Sequence, residues 1–453
     1  MPVTTTNPAT GQALAEYRRT TPAEVDAALD ASAAAFGRWR HAAPSERAEL
    51  LSRLADAIEA DADRAAGLIT AEMGKPVTQA RGEVAKCADL CRHYAGRAER
   101  LLAPELVETE ARASYVRLDP LGPVLGVMPW NFPFWQVFRW GVPTLLAGNT
   151  LLLKHADNVL GAAAHVAELF ETAGAPAGLF ASLCLANDDV AAVVEDRRVR
   201  GASLTGSVRA GRSVAAAAGR SLKPSVLELG GSDAALILPD ADLGGRMADI
   251  AFGRFQNTGQ TCIATKRYLV HESIADDFTE RLVETARGYR VDDPTDASTE
   301  LGPMARPDLR DGLNDQLKKC VADGLEVRLA GGPREGAGNW FDPVVLFAAK
   351  PGDTPFREEL FGPVATVCVC KDAEQMVEWA NATDYGLSAS VWGDPHAGEA
   401  LAARLEAGCV FVNQGVKSDP RLPFGGVKDS GYGRELGGRG VRQFANEKTV
   451  WVA

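Results

Sequence analysis

The sequence predicts an α/β protein with more than one core, and three observations point there. From Val124 onward, short segments that are apolar throughout alternate with helical patterns. Strands buried on both faces belong to parallel sheets covered by helices. A second alternating set begins near Ala234. The chain of 453 residues also exceeds what one hydrophobic core accommodates, so about two or three domains are expected.

After a short extended lead, Thr21-Pro22-Ala23-Glu24 predicts a helix start, with Thr21 as cap, Pro22 in the first turn and Glu24 closing a capping box. Val25, Leu29, Ser32, Phe36 and Trp39 then recur at helical spacing. A second amphipathic run covers 45–60 and helix continues to Glu99; these helices are expected to pack rather than do chemistry. Residues 110–118 read as extended and charged, and 124–128 as a buried strand broken at Pro129. Strand 150–153, helix 161–172, strand 182–185, helix 188–195, strand 202–205, helix 208–218 and strand 226–229 follow. Parallel sheets bind ligands beyond the carboxyl ends of their strands, where Lys154 and Gly206 fall. The second set places strands near 234–238, 268–270, 364–370, 387–392 and 410–413. The Gly- and Pro-rich section 294–343 is expected to be mainly connection, and 448–453 a short strand free to pair outside its own domain.

A net charge of −12 argues against nucleic-acid binding, which relies on clustered Lys and Arg. No stretch is long and apolar enough to span a bilayer, and the amino terminus lacks the pattern of a secretory signal, so a cytoplasmic location without membrane partners is expected. The eight cysteines lie far apart. Cys87/Cys91 and Cys368/Cys370 have helix and strand same-face spacings, so reduced thiols and no metal are expected; His155 likewise has no ligand-spaced partner.

Four stretches carry candidate chemistry. In Phe255-Gln256-Asn257-Thr258-Gly259-Gln260-Thr261-Cys262-Ile263-Ala264 one cysteine sits among small and polar residues. A nucleophile needs a reachable thiolate and N–H groups for the oxyanion its attack creates, whereas an inert cysteine prefers a closed apolar setting. Ser203 to Gly211 reads as strand, glycine turn and helix start, which brings N–H groups and a positive helix end to a phosphate, although a plain β–α turn has the same form. Glu228 stands inside an apolar strand ahead of Gly230-Gly231; burial raises a carboxyl pKa and suits a general base, the alternative being a buried ion pair. Asn131 ends a strand in Met128-Pro129-Trp130-Asn131-Phe132-Pro133, where its amide could donate to an oxyanion or serve only as a turn residue.

Together with Lys154 in LLLKHAD, Glu359 in EELFGP and the late PFGGVKDSGYGRE, these motifs resemble the aldehyde dehydrogenase superfamily, in family order over nearly the whole chain. Within it, MPWNFPFWQ, LKHA and the length are similar to bacterial succinate-semialdehyde dehydrogenases that use NADP. The resemblance implies a Rossmann-like dinucleotide-binding domain (1–110 and 126–229), an α/β catalytic domain (230–433) and a small β oligomerisation element (111–125 and 434–453), assembling as a homodimer or homotetramer. It implies Cys262 as nucleophile, Asn131 as oxyanion donor and Glu228 as the base that activates water on the thioester. It assigns Trp130, Lys154, Gly206, Ser207, Gly211, Glu359 and Phe361 to the cofactor, NAD or NADP, and Trp135, Arg139, Gln256 and Ser418 to the substrate.

The implied reaction is oxidation of an aldehyde to an acid, with succinate semialdehyde expected. The alternatives are another small aliphatic or aromatic aldehyde or, from another class, an inactive structural or binding protein on the same scaffold. Arg139 aligns with the arginine that takes the distal carboxylate, the alternative being a structural ion pair. Gln256 replaces a second arginine, which leaves that task shared with Lys417 or Arg421. Asp157 departs from the NADP type: a carboxylate repels a 2′-phosphate but accepts from a 2′-hydroxyl, which points to NAD or dual use. Ala264 occupies the position of a second cysteine in some relatives, so no disulfide switch forms there.

Overall fold

The computed structural model describes residues 2–453. The extended lead is a hairpin of Val3–Thr6 and Ala13–Tyr17. Helix Pro22–Trp39 opens with the expected box: Glu24 N donates to Thr21 Oγ1 at 3.3 Å and Thr21 N to Glu24 Oε2 at 2.8 Å. Helices Pro44–Ala60, Ala62–Met73 and Val77–Ala95 follow and bury their apolar faces with helix Trp135–Leu146 in the largest core.

A six-stranded sheet has the order Gly431–Tyr432, Ser225–Glu228, Gly201–Thr205, Pro123–Met128, Thr150–His155, Phe180–Ser182, parallel except for its first strand. Pro123–Met128 is the point where the winding reverses, and the crevice beyond its carboxyl end is the place such sheets use for ligands. A seven-stranded sheet has the order Glu326–Leu329, Val344–Phe347, Val364–Cys370, Thr265–His271, Asp233–Ile237, Ser388–Trp392, Cys409–Val412, parallel except for its first strand.

Register sets the two sheets against each other. Val127 lies opposite Lys154, and Thr205 opposite Glu228, so the carboxyl ends of the first sheet are level. In the second sheet Asp233 pairs with Thr265 at the amino ends. The chain therefore leaves one sheet at Glu228, crosses Leu229 to Ser232, and enters the other at Asp233. Asn131, Glu228 and Cys262 all fall on this seam because each lies at or just past a carboxyl end or just before an amino end.

Three differences from expectation have local causes. Section 294–343 holds helix Pro307–Ala322 and an edge strand, Glu326–Leu329. That helix buries only Leu313 and Cys320, so it carries little apolar periodicity; Pro307 in its first turn was the available signal. The strand expected at 182–185 pairs over Phe180–Ser182, Leu183 adding one bond to Leu153 O at 2.7 Å before the chain turns away. The tail strand is longer than expected, Ala445–Val452, and pairs antiparallel with Ala113–Pro120, while Pro123–Met128 belongs to the six-stranded sheet. Among the described residues no helix is long and apolar enough to cross a membrane.

Candidate active site

The loop before Cys262 is strained and heavily tied. Asn257, Thr258 and Gly259 hold φ of 53°, 54° and 72°, the left-handed region that costs energy for the first two. A Cβ on Gly259 would meet Gly362 O at 2.3 Å, so glycine is required there by space as well as by φ. Gln79 Oε1 accepts from Asn257 N at 2.9 Å, Gln260 Oε1 from Ala305 N at 2.9 Å, and Thr258 Oγ1 donates to Gly302 O at 3.0 Å. Lys266, fully buried, donates to Thr261 O at 3.0 Å and to Cys262 O, and sits 3.3 Å from Glu359 Oε1. Bonds from three separate segments thus fix the loop that carries the sulfur.

The Asn131 loop is fixed from two sides. The buried Glu83, paired with Lys75, accepts from Phe134 N at 2.9 Å and Trp135 N at 3.0 Å, taking up two orphan donors at the start of helix Trp135–Leu146. His155, buried, bonds Pro133 O at 2.8 Å, so its part is to hold this loop. The Asn131 amide donates to Gln260 O at 3.1 Å, and Asn257 Nδ2 donates to Asn131 O at 2.9 Å, which links the loop to the cysteine segment.

Glu228 is 2 % exposed, and neither carboxyl oxygen has a hydrogen-bond partner among the described residues. Burial drives its pKa well up; Glu435 adds to this while Arg139 and Arg434 oppose it. The predicted alternative, a direct ion pair, is not what Glu228 makes. Burial also pushes the half-buried Cys262 thiol up to about 11 against the pull of Arg139 and Lys266, so the resting group is a thiol and its proton must be taken.

Cys262 lines two cavities. One, of about 240 Å³, is shared with Trp130, Asn131, Gly206, Ser207, Glu228, Glu359 and Phe361. Its features fit a dinucleotide: Ser207 caps helix Val208–Arg220 by accepting from Ala210 N at 3.3 Å, Glu359 presents a carboxylate, and Trp130 meets Phe361 edge to face at 5.7 Å. Gly211 is not on this surface; a Cβ there would meet Leu229 at 2.6 Å, so its part is close packing of helix on strand. Lys154 donates to Asn187 Oδ1 at 2.9 Å at the strand end. Asp157 is not the free acceptor expected: Arg19 grips it through two bonds of 2.9 and 2.5 Å and also donates to Leu185 O at 2.8 Å. Its carboxyl is held below the usual range by Arg19 and Lys154 despite partial burial.

The other cavity, of about 270 Å³, is lined by the predicted Trp135, Arg139, Gln256 and Ser418, and by Lys417 and Lys86. Arg139 is 2 % exposed; its Nε donates to Glu435 Oε2, its Nη2 to Thr205 Oγ1 at 3.2 Å, and its guanidinium lies 4.7 Å from the Phe424 ring centre. Arg139 is thus engaged in an ion pair, the alternative weighed beside a carboxylate receptor. Arg421 is bound to Asp419 at 2.6 Å and stands outside this cavity.

Sequence reasoning missed Arg19, Lys266, Glu83 and Lys86. Gln79, Glu83 and Lys86 recur at helical spacing on Val77–Ala95, a polar stripe that reads as a solvated face until another element covers it. Arg19 carried no signal, since nothing local reveals a partner at position 157.

Residues 1–450 match the aldehyde dehydrogenase family. The chain is 46 % identical over 446 residues to succinate semialdehyde dehydrogenase [NAD(P)+] Sad of Escherichia coli K12, covering 98 % of this chain and 96 % of that one. It is 44 % identical to the probable succinate-semialdehyde dehydrogenase [NADP(+)] of Synechocystis, over 100 % of both. The crystal structure of succinic semialdehyde dehydrogenase from Streptococcus pyogenes in complex with NADP+ superimposes with a TM-score of 0.97 at 35 % identity over 99 % of both chains.

Proposed function

The chain belongs to the aldehyde dehydrogenase family, and from that premise we propose that it oxidises succinate semialdehyde to succinate, with NAD+ or NADP+ as acceptor, through a thioester on Cys262. One observation carries this reading: Cys262 is where the cavity of Asn131 and Glu228 meets a second cavity bearing lysine side chains. A carbonyl carbon at the sulfur then has a base and an amide donor on one side and room for an acid tail on the other.

The chain's residues act in order. Cys262 Sγ gives its proton to solvent and bonds the carbonyl carbon, while the Asn131 amide and the Cys262 N–H hold the oxyanion. The bound nicotinamide supplies the hydride acceptor. The carbonyl re-forms as a thioester, and a water whose proton passes to Glu228 attacks it. The C–S bond breaks, and acid and thiol are released.

A panel of aldehydes assayed with both cofactors tests the reading. The highest kcat/KM is expected for succinate semialdehyde. Preference for an uncharged aldehyde removes the acid-tail assignment, and no NAD(P)H formation with any aldehyde favours an inactive scaffold. Asn131→Ala is expected to lower kcat by about 10²- to 10³-fold, the scale of losing one oxyanion donor, with KM little changed.

Dual cofactor use is supported by the Arg19–Asp157 pair: although each engages the other, the carboxylate keeps lone pairs for a 2′-hydroxyl and the guanidinium keeps N–H donors for a 2′-phosphate. Arg19→Ala is expected to shift the NADP-to-NAD ratio of kcat/KM toward NAD by roughly tenfold, and Asp157→Ser to shift it toward NADP by a similar factor. Ratios that stay equal in both variants refute this part. The sheet of Ala445–Val452, Ala113–Pro120 and Glu105–Leu106, with Leu106 82 % exposed, supports a homo-oligomer built through this element. Light scattering on the purified protein reads its mass.

A further inference from the structure

We propose that Lys86 receives the distal carboxylate of the substrate, with Ser418 beside it, while Arg139 serves as a structural partner of Glu435. The proposal rests on the acid-tailed aldehyde reading above and names the residue that recognises the tail.

Lys86, on helix Val77–Ala95, lines the Cys262 cavity, donates to Ser418 Oγ at 2.7 Å, and lies 4.0 Å from the Trp135 ring centre. Of the other ionic groups around it, Glu83, Asp419 and Arg139 have partners and Lys417 has none among the described residues. Glu83, one turn earlier on the same helix, is bound to Lys75 and to two backbone N–H groups. Asp419 is bound to Arg421 through 2.6 and 2.8 Å contacts, and Arg139 is bound to Glu435. Among the described residues no carboxylate lies within ion-pair distance of Lys86.

An ammonium in an aromatic-walled cavity without a counter-ion is poised to take one from the ligand. Burial, with the repulsion of Arg139, pulls the Lys86 pKa down to about 8, against the opposing effects of Cys87, Glu83 and Asp419. An arriving carboxylate reverses that shift, so recognition of the tail weakens as pH rises through the value of the free enzyme. Lys417 also lines the cavity, but the structure gives its ammonium no ring or hydroxyl contact that would aim it. Trp135 and Ser418 hold Lys86 on two sides, which lowers the entropy lost on binding.

The test compares succinate semialdehyde with butanal, which has a methyl group in place of the carboxylate. In Lys86→Met, which keeps the apolar stem, the ratio of kcat/KM for the two aldehydes is expected to fall by roughly ten- to a hundred-fold, mainly through KM, the scale of a hydrogen bond to a charged group. Lys86→Arg restores most of the ratio. In the unmodified protein the same ratio falls above a pH of about 8. That measurement needs no variant to fold. A ratio unmoved in Lys86→Met, or flat with pH, overturns the proposal. If the unmodified protein shows no preference for the semialdehyde over butanal, it is the substrate reading that fails.

Discussion

Cys262→Ala is expected to lower aldehyde oxidation by about 10⁴-fold or more, the scale of removing a covalent nucleophile, while cofactor binding persists. No other thiol can stand in: among the described residues Cys262 is the one cysteine lining either cavity. Cys409 points elsewhere, with Pro423 O at 3.9 Å, and Cys87, Cys91, Cys320, Cys368 and Cys370 are buried in the cores. The substitution removes one small, half-buried group, so an unchanged melting temperature separates lost chemistry from lost folding. Alkylation gives an independent reading. With the thiol pushed up to about 11, inactivation of the unliganded enzyme by iodoacetamide should accelerate about tenfold per pH unit over pH 7 to 9, since the thiolate fraction rises by that factor below the pKa. A pH-independent rate would mean that Cys262 is already ionised at rest.

Glu228→Gln is expected to lower kcat by about 10²- to 10⁴-fold, the range for losing a general base, while preserving a first-turnover burst of reduced cofactor. The swap conserves shape. Neither carboxyl oxygen has a bond to lose among the described residues, and the walls are close: a Cβ on Gly425 would meet Glu228 Oε1 at 2.6 Å. The burst distinguishes roles, because hydride leaves before water attacks; its loss together with kcat would move Glu228 to the first half of the reaction.

The sign of the pH effects follows from the raised pKa of Glu228. As a base it works only when ionised, so activity rises with pH through that value, and the glutamine variant loses this acid limb. Stability has the opposite sense. A carboxyl whose folded pKa lies above its ordinary 4.5 keeps its proton where the unfolded chain has released one, so its contribution to stability falls as pH rises from about 4.5 toward the folded value. Glu228→Gln is therefore expected to be more stable than the parent at neutral pH, by a margin that shrinks on acidification.

Some of this was legible along the chain because the signals are short-range. Strands apolar on both faces announce parallel sheets, and the strand at Thr150–His155 appears where its pattern places it. The capping box at Thr21 forms as read because its bonds span only three residues. Helix Pro307–Ala322 was missed because only two of its side chains are buried, which leaves an apolar stripe too thin to see.

What the sequence by itself offered is a set of candidate reacting groups: a cysteine in a polar loop, a carboxylate in an apolar strand and an amide after a strand end. Each stands out against its immediate neighbours, and the resemblance of the motifs taken together gave each its expected role. Which charges remain available was decided by the tertiary structure alone. Arg139 is matched by Glu435, Asp157 by Arg19, and Lys86 by no carboxylate among the described residues. The physical reason is distance along the chain. A charge is neutralised by whatever group packing brings within a few ångströms, and partners separated by 296 and 138 residues leave no trace in the local pattern of either.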